Sequence, residues 1–565
     1  MKFFKTIILI LISFCIFNLA NAKDFVKVYK QDKISKYFSG VISLNDNEYG
    51  NSYIYLKKLD GFETSHFNFS QLFQYTLINL GKFDEAYIYS KKLERKKIQT
   101  FESNLIIGVF YLKRGDYKNA AKYFKKLEDK NQTFLLQSLL SESLNAWILF
   151  PKLTQNEARE KIKNISNTFE NVKKIQETFS YCFYNNNKTD IQFEKLISDS
   201  KIDFTRYSFF YANFLFKKGK IDKANKIIDS SLKKFPRNLI LGQMKDDMES
   251  KKIKHFSNKF DCENLSNIIA ELFYIISNVT STQNMYSISN FYLSLAKFLN
   301  PNFISFDTLL AENYYMIDKY DESIQVYKRI RNKGNIYNWY ASKQIASILV
   351  EQEKNSQGLT FLKKSFNNFS NPSVYQIYDY AEFLKRNDKF AESIVLFSKV
   401  LNEVSEDHKL FSKSSDGRGI SYERIGEWEK AEKDFLNSLR KSPDQAYVLN
   451  YLAYSWIEKG INIEKSLSML KKANDLKKNN GYITDSLGWA LFKLKRYNEA
   501  EKYLRKAIKI MPADPIINDH YGDSLWMKNQ TLQARYYWKT AFELEGAEED
   551  LKKKIEEKLL MGLEE

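Results

Sequence analysis

The chain has 565 residues, 44% of them apolar and 15% aromatic, and carries a formal net charge of +18. That apolar fraction supports a sizeable core, so disorder is not the default. With 43 Phe and 37 Tyr but only 7 Pro and 19 Gly, the composition favours helices with few sharp stops, and an all-α protein is expected.

The N-terminal stretch MKFFKTIILILISFCIFNLANA has Lys2 and Lys5, an apolar run from Thr6 to Leu19, and the small-x-small end Ala20-Asn21-Ala22. This is the layout of an export signal. It predicts a signal peptide over 1–22, cleavage before Lys23 and a periplasmic mature chain. The apolar run is shorter than the roughly 20 residues that span a bilayer, and no later segment reaches that length. Export would leave Cys182 and Cys262 where a disulfide can form. In a linear array, however, residues 80 positions apart lie far from each other, so both are expected to be buried and unpaired. The lysines are spread along the whole chain, so its basicity reads as composition rather than as a nucleic-acid surface, and no nucleic-acid partner is expected.

The body of the chain repeats itself. Gly40, Gln74 and Gly108 follow at steps of 34, with Ser52, Ala86 and Ala120 in a second column and Leu59, Leu93 and Leu127 in a third. Ala146, Ala158 and Ile165 keep the internal offsets, as do Ala212, Ala224, Ser231 and Pro236. Ser277, Ala311, Ala346 and Ala381 continue the register. The clearest units come last, where Gly419, Ala453, Gly488 and Gly522 are separated by 34, 35 and 34. Ala431, Ser466, Ala500 and Ala534 form the second column there, and Ser438, Ala473, Ala507 and Ala541 the third. Phe435, Leu470, Leu504 and Trp538 supply a large apolar residue between them. Pro443 and Pro512 fall where a second helix must end. Each unit therefore reads as helix, turn, helix, stop, and about thirteen units can be named.

Asn167 to Ile202 and Arg237 to Asn264 fit this register poorly. The second stretch reads as a joint, which gives an N-terminal block over 23–236, an irregular joint over 237–264 and a C-terminal array over 265–546. Over 547–565, Leu551, Ile555, Leu559 and Leu560 at helical spacing predict a helix that covers the last unit.

Tyr482 to Pro515 resembles the tetratricopeptide repeat through Leu487, Gly488, Leu491, Tyr497, Ala500, Leu504, Ala507 and Pro512. It departs from the family pattern at Thr484, where tryptophan is preferred. The resemblance implies antiparallel helix pairs stacked into a right-handed superhelical α-solenoid, in one or two blocks. It also implies that the exposed face of each first helix lines a ligand-binding groove. On that face lie Tyr447, Asn450 and Tyr454, then Tyr482, Asp485, Trp489 and Phe492, then Asp519, Asp523 and Trp526. Exposed Tyr and Trp beside polar groups are the composition of protein-binding hot spots. The lysine, asparagine and arginine clamp with which some family members hold a C-terminal carboxylate is not found here.

No chemistry stands out. His66, His255, His408 and His520 lie apart without metal spacing, and no nucleophile or phosphate-loop motif is present. Asp485, Asp519 and Asp523 are expected in a solvated groove with no reason for a shifted pKa, and no cofactor, metal or catalytic residue is assigned. The C-terminal segments are similar to those of long periplasmic or outer-membrane-associated repeat proteins of Gram-negative bacteria. Some of those hold a protease and its substrates together, and others assist envelope assembly. The expectation is a non-enzymatic scaffold for envelope proteins or peptides, either soluble or held peripherally at a membrane. The alternative is a component of polysaccharide or lipid export that binds an anionic polymer. The oligomeric state is left open.

Overall fold

The computed structural model describes residues 31–563 except 60, 65, 67, 129–134, 200–201 and 251–257. The leader expected over 1–22 lies outside the described residues. Among the described residues there are thirty α-helices and three short 3₁₀ turns, with no strand. None of these helices is long and apolar enough to cross a membrane. They form two compact units, Met1–Ile348 and Leu349–Glu565.

Both units are stacks of antiparallel helix pairs, and the small-residue column explains the pairing. A Cβ on Gly40 would stand 2.4 Å from Leu56, and one on Gly108 2.4 Å from Phe124. In the second unit the same position on Gly419, Gly488 and Gly522 would meet Phe435 at 2.8 Å, Leu504 at 2.6 Å and Trp538 at 2.5 Å. Each partner lies sixteen residues downstream, so one large side chain of the second helix fills the place the missing Cβ leaves. Gln74 takes this position in its own pair and donates to Ser90 at 2.8 Å. Ala453, Ala500, Ala507, Ala534 and Ala541 are fully buried at the other contact points.

A further periodic feature sits in the turn within every described pair except Leu135–Trp147 with Gln155–Lys163, where one residue adopts φ between +50° and +83°. It is Asn47, Gly81, Gly115, Asn185, Gly219, Asn284 and Asp318 in the first unit, and Glu353, Asp388, Gly426, Gly460, Lys495 and Asn529 in the second. Asn and Asp tolerate this left-handed conformation because their short side chains bond locally, so the turn does not depend on glycine. Asn185 shows that the poorly fitting stretch Asn167 to Ile202 is a pair of this kind, Glu170–Phe183 with Thr189–Ile197.

The first unit departs from a simple stack. Its helices Leu265–Thr282 and Tyr286–Leu299 form a hairpin against the first helices of the N-terminal pairs. Phe291 meets Tyr75 edge-on at 4.6 Å between centroids, Phe298 lies 4.4 Å from Phe83, and Lys113 donates to the Leu299 carbonyl at 3.1 Å. At the other end Arg206 grips the buried Glu271 carboxylate through Nε at 2.7 Å and a terminal nitrogen at 2.8 Å. Its guanidinium also lies 3.8 Å from the Tyr274 ring. Lys319 pairs with Glu48, 271 residues away.

Two expectations change here. Cys182 and Cys262 are not unpaired: they form a disulfide with 5.8 Å between Cα atoms. The chain folds back after Leu239–Glu249, so the segment before the hairpin returns to Glu170–Phe183 instead of continuing a linear array. The 237–264 stretch likewise does not separate the compact units, because the helices after it complete the first one and the division falls at Ile348.

Two measurements follow from this packing. Gly488→Leu should destabilise the second unit by about 1–3 kcal/mol through overpacking against Leu504, read in urea unfolding; an unchanged midpoint would contradict the register. Replacing Cys182 and Cys262 together by serine should cost the first unit about 4 kcal/mol, the chain-entropy value for a loop of this length. Equal unfolding curves with and without reductant would count against the disulfide.

Candidate functional site

In the first unit the inner face of the N-terminal pairs is occupied by the chain's own hairpin. In the second unit the corresponding face runs along the first helices Lys409–Arg424, Ala446–Glu458, Gly481–Lys493 and Pro515–Trp526. Steps of three and four residues keep the side chains in question on one side of each helix.

The middle of this face is exposed. Tyr447 is 61% accessible and Tyr482 56%, and Asn480 donates to the Tyr447 hydroxyl at 3.4 Å. Asn450 is half-buried beside them, and its Oδ1 is buried without a hydrogen-bond donor. Tyr454 is half-buried; burial, then the charges of Glu458 and Asp485, raise its hydroxyl pKa above the ordinary value.

Towards the C-terminus the face closes on itself. Trp489 is stacked between Phe492, 4.9 Å away and tilted 6°, and His520, 4.0 Å away and tilted 10°. Its indole N–H donates to Glu458 at 2.6 Å. His520 Nδ1 donates to the buried Asp485 carboxylate at 2.9 Å. Burial alone would lower the imidazole pKa, but Asp485, with Asp519 and Asp523 behind it, outweighs that and raises it above 6.5.

At the end of the face Asp519 and Asp523 are buried and share Lys558, which lies on the helix Glu549–Met561. Asp523 also accepts from the Trp538 indole at 2.8 Å. Trp526 packs 5.2 Å from Trp538 and donates to the Leu563 carbonyl at 3.1 Å. Burial, followed by the charge of Asp519, raises the Asp523 pKa, with Lys558 and His520 opposing. The expectation of solvated carboxylates is therefore corrected: Asp485, Asp519 and Asp523 are all buried and paired, and Asp523 has a raised pKa. The reason is that neighbouring first helices approach closely enough for each acid to be covered by a ring or cation from the next helix.

The structure thus gathers Asp485, Trp489 and Phe492 into one cluster and Asp519, Asp523 and Trp526 into another, with Tyr447, Asn450, Tyr454 and Tyr482 outside both. His520, Glu458 and Lys558 belong to the clusters and were not assigned a role from sequence. Asp416 was also missed. It occupies the same repeat position as Asn450, Asp485 and Asp519, three residues before the small column, and that spacing is the signal that could have found it. Burial pushes its carboxyl up to about 6, with Lys385 opposing and Glu382 adding to the rise. Acids therefore recur at this position, with Asp485 paired to His520 and Asp519 to Lys558. Among the described residues no group of acids, cysteines and histidines has the geometry to hold a metal ion.

A stack of antiparallel helix pairs with small residues at their contact points defines a helical-repeat protein. Residues 485–514 and 101–129 match family models described as tetratricopeptide repeat. A TPR repeat-containing protein of Pseudomonas aeruginosa, PA4667, is 27% identical over 143 residues, covering 25% of this chain and 23% of that one. The match therefore spans less than a quarter of that relative's length. Similar solved structures include MamA of AMB-1, 20% identical over 30% of this chain and 96% of its own, with a TM-score of 0.26. A second is TTC0263 of Thermus thermophilus, 16% identical over 34% of this chain and all of its own, with a TM-score of 0.29. Two segments of the chain, one in each compact unit, are thus similar to tetratricopeptide repeats.

The His520–Asp485 pair gives a pH signature. An imidazole with a raised folded-state pKa contributes stability that is fully present below about pH 6.5 and is lost as pH rises through the folded value. The melting-temperature advantage of the native chain over His520→Gln should therefore shrink between pH 6 and 9. An advantage independent of pH would show that the pair carries no charge.

Proposed function

We propose that this protein is a non-enzymatic, exported scaffold of the bacterial cell envelope that takes partner proteins on the inner face of its second unit. The observation that carries this reading is the uncovered stretch at Tyr447, Asn450 and Tyr482, where two tyrosines stand more than half exposed beside an unbonded amide carbonyl. An extended or helical segment could bury both rings, which is the chemistry of an interface hot spot. The leader-like N-terminus and the Cys182–Cys262 disulfide support a compartment outside the cytoplasm, since structural disulfides persist in oxidising surroundings. The resemblance to long envelope repeat proteins supports a role in bringing proteins together, for example in envelope assembly or delivery to a protease. Binding of an anionic polysaccharide or lipid polymer is the second reading, and it differs in predicting binding that weakens steeply with salt.

A photocrosslinking residue at position 482 should form a discrete protein adduct in the envelope fraction. Tyr447→Ala combined with Asn450→Ala should cut its recovery at least about tenfold. Undiminished recovery, or adducts confined to cytoplasmic proteins, would overturn the reading.

A further inference from the structure

The disulfide of the first unit is shut off from solvent. Cys182 is 1% exposed and Cys262 8%. Cys182 lies on the helix Glu170–Phe183, and Cys262 on the segment that leads into Leu265–Thr282. That segment is tied down just before the cysteine. The Lys259 N–H donates to the Asn302 carbonyl at 3.1 Å, and Asn300 donates to the Lys259 carbonyl at 2.9 Å. Asn213 donates to the Phe260 carbonyl at 2.7 Å, and the Phe260 ring meets Phe210 at 4.5 Å between centroids. Asn258 accepts from the Ile304 N–H at 3.0 Å and donates to the Tyr337 hydroxyl at 2.9 Å.

Most of these ties come from residues later in the chain. Asn300, Asn302, Ile304 and Tyr337 follow Cys262 by 38 to 75 residues. A chain that appears from its N-terminus therefore presents both cysteines before the residues that cover them. Thiol–disulfide exchange requires a thiolate to reach a disulfide sulfur, and a buried thiol is inert. In the closed unit neither sulfur offers that approach to a second protein. The sequence also leaves a single pairing, because the third cysteine, Cys15, sits in the leader-like run. A chain without that run has no wrong disulfide to correct.

We propose that the bond is made by exchange with an exported protein disulfide while the first unit is still open, and that docking of residues 300–337 then seals it. Cys182 emerges first. Its thiolate attacks one sulfur of the oxidant's disulfide, which forms a mixed disulfide and releases the other sulfur as a thiolate. The Cys262 thiolate then attacks Cys182 Sγ, so that the Cys182–Cys262 bond forms, the mixed disulfide breaks and the oxidant leaves as a dithiol. Two electrons pass to the oxidant, and the two protons given up by the cysteines end on its thiols. The partner this chain requires is thus a disulfide oxidant and not an isomerase. The inference rests on export, as proposed above, and not on the inner face of the second unit.

The test uses the full-length chain carrying Cys15→Ser, reduced and unfolded in urea and then returned to native buffer. Oxidised glutathione is present throughout or is added only after the helical signal has recovered. Late addition should oxidise the chain at least about tenfold more slowly than early addition, read by alkylation of the remaining thiols. The native, oxidised chain should likewise lose its bond to dithiothreitol at least about tenfold more slowly than it does in urea. Asn258→Ala, which removes the ties to Ile304 and Tyr337, should recover part of that rate. Late oxidation as fast as early in a chain that melts cooperatively, or native reduction as fast as unfolded reduction, would overturn the proposal. A reduced chain that never regains a cooperative melt supports it, since closure then requires the bond. In cells, Cys262→Ser should trap a reducible adduct between Cys182 and an envelope protein, and its absence from an exported chain would remove the exchange step. Slow late oxidation in vitro, with a chain that stays reduced in cells, would leave the order of closure standing and remove the export reading.

Discussion

The architecture depends on how closely the two helices of a pair can approach. At Gly40, Gly108, Gly419, Gly488 and Gly522 the backbone of the first helix is met by a side chain sixteen residues downstream at less than van der Waals distance for a Cβ. The helical cost of a glycine, roughly 1 kcal/mol relative to alanine, is offset because Leu504, Phe124 or Trp538 is then fully buried. Once this distance is set, the other contacts are constrained. The second and third columns must be small, the turn must reverse within a few residues, and successive first helices are brought near enough for rings and acids on adjacent units to touch.

That last consequence decides the character of the inner face. Trp489 reaches His520 and Glu458 on the neighbouring first helices because the units repeat at helix-packing distance. The acids of this face are buried or half-buried as a result, and burial makes each of them demand a partner. Along the face the demand is met in different ways: by an imidazole at Asp485, by a lysine from outside the repeats at Asp519 and Asp523, and at Asp416 by a raised pKa. Internal neutralisation of acids on this face is thus a by-product of tight stacking.

Much of this was legible in the sequence, because the packing constraint acts on residue size and size recurs visibly at 34 and 35 residues. The helix pairs, the small columns and the terminal helix could all be read from Gly488, Ala500, Leu504 and Ala507 and their equivalents. What could not be read depended on residues outside a unit's own pattern. The burial of Asp485 is caused by His520 in the next unit, and that of Asp523 by Lys558, which lies beyond the last repeat and has no periodic counterpart. The left-handed turn position was hidden because it accepts Asn, Asp, Glu, Lys or Gly. The disulfide was misjudged because 80 residues of sequence measure distance only in an array that never turns back, and the first unit does turn back after Leu239–Glu249.

That return has a kinetic meaning. A linear repeat array can nucleate anywhere and spread to its neighbours, because all its contacts are local. The first unit cannot finish that way: Tyr75 and Phe83 lack their ring partners Phe291 and Phe298 until those are present, and Glu48 waits for Lys319. Closing loops of two hundred residues and more costs entropy before any contact repays it. The first unit therefore completes its core only once its later helices are present, and during synthesis its N-terminal repeats present an aromatic face that must be kept from other chains.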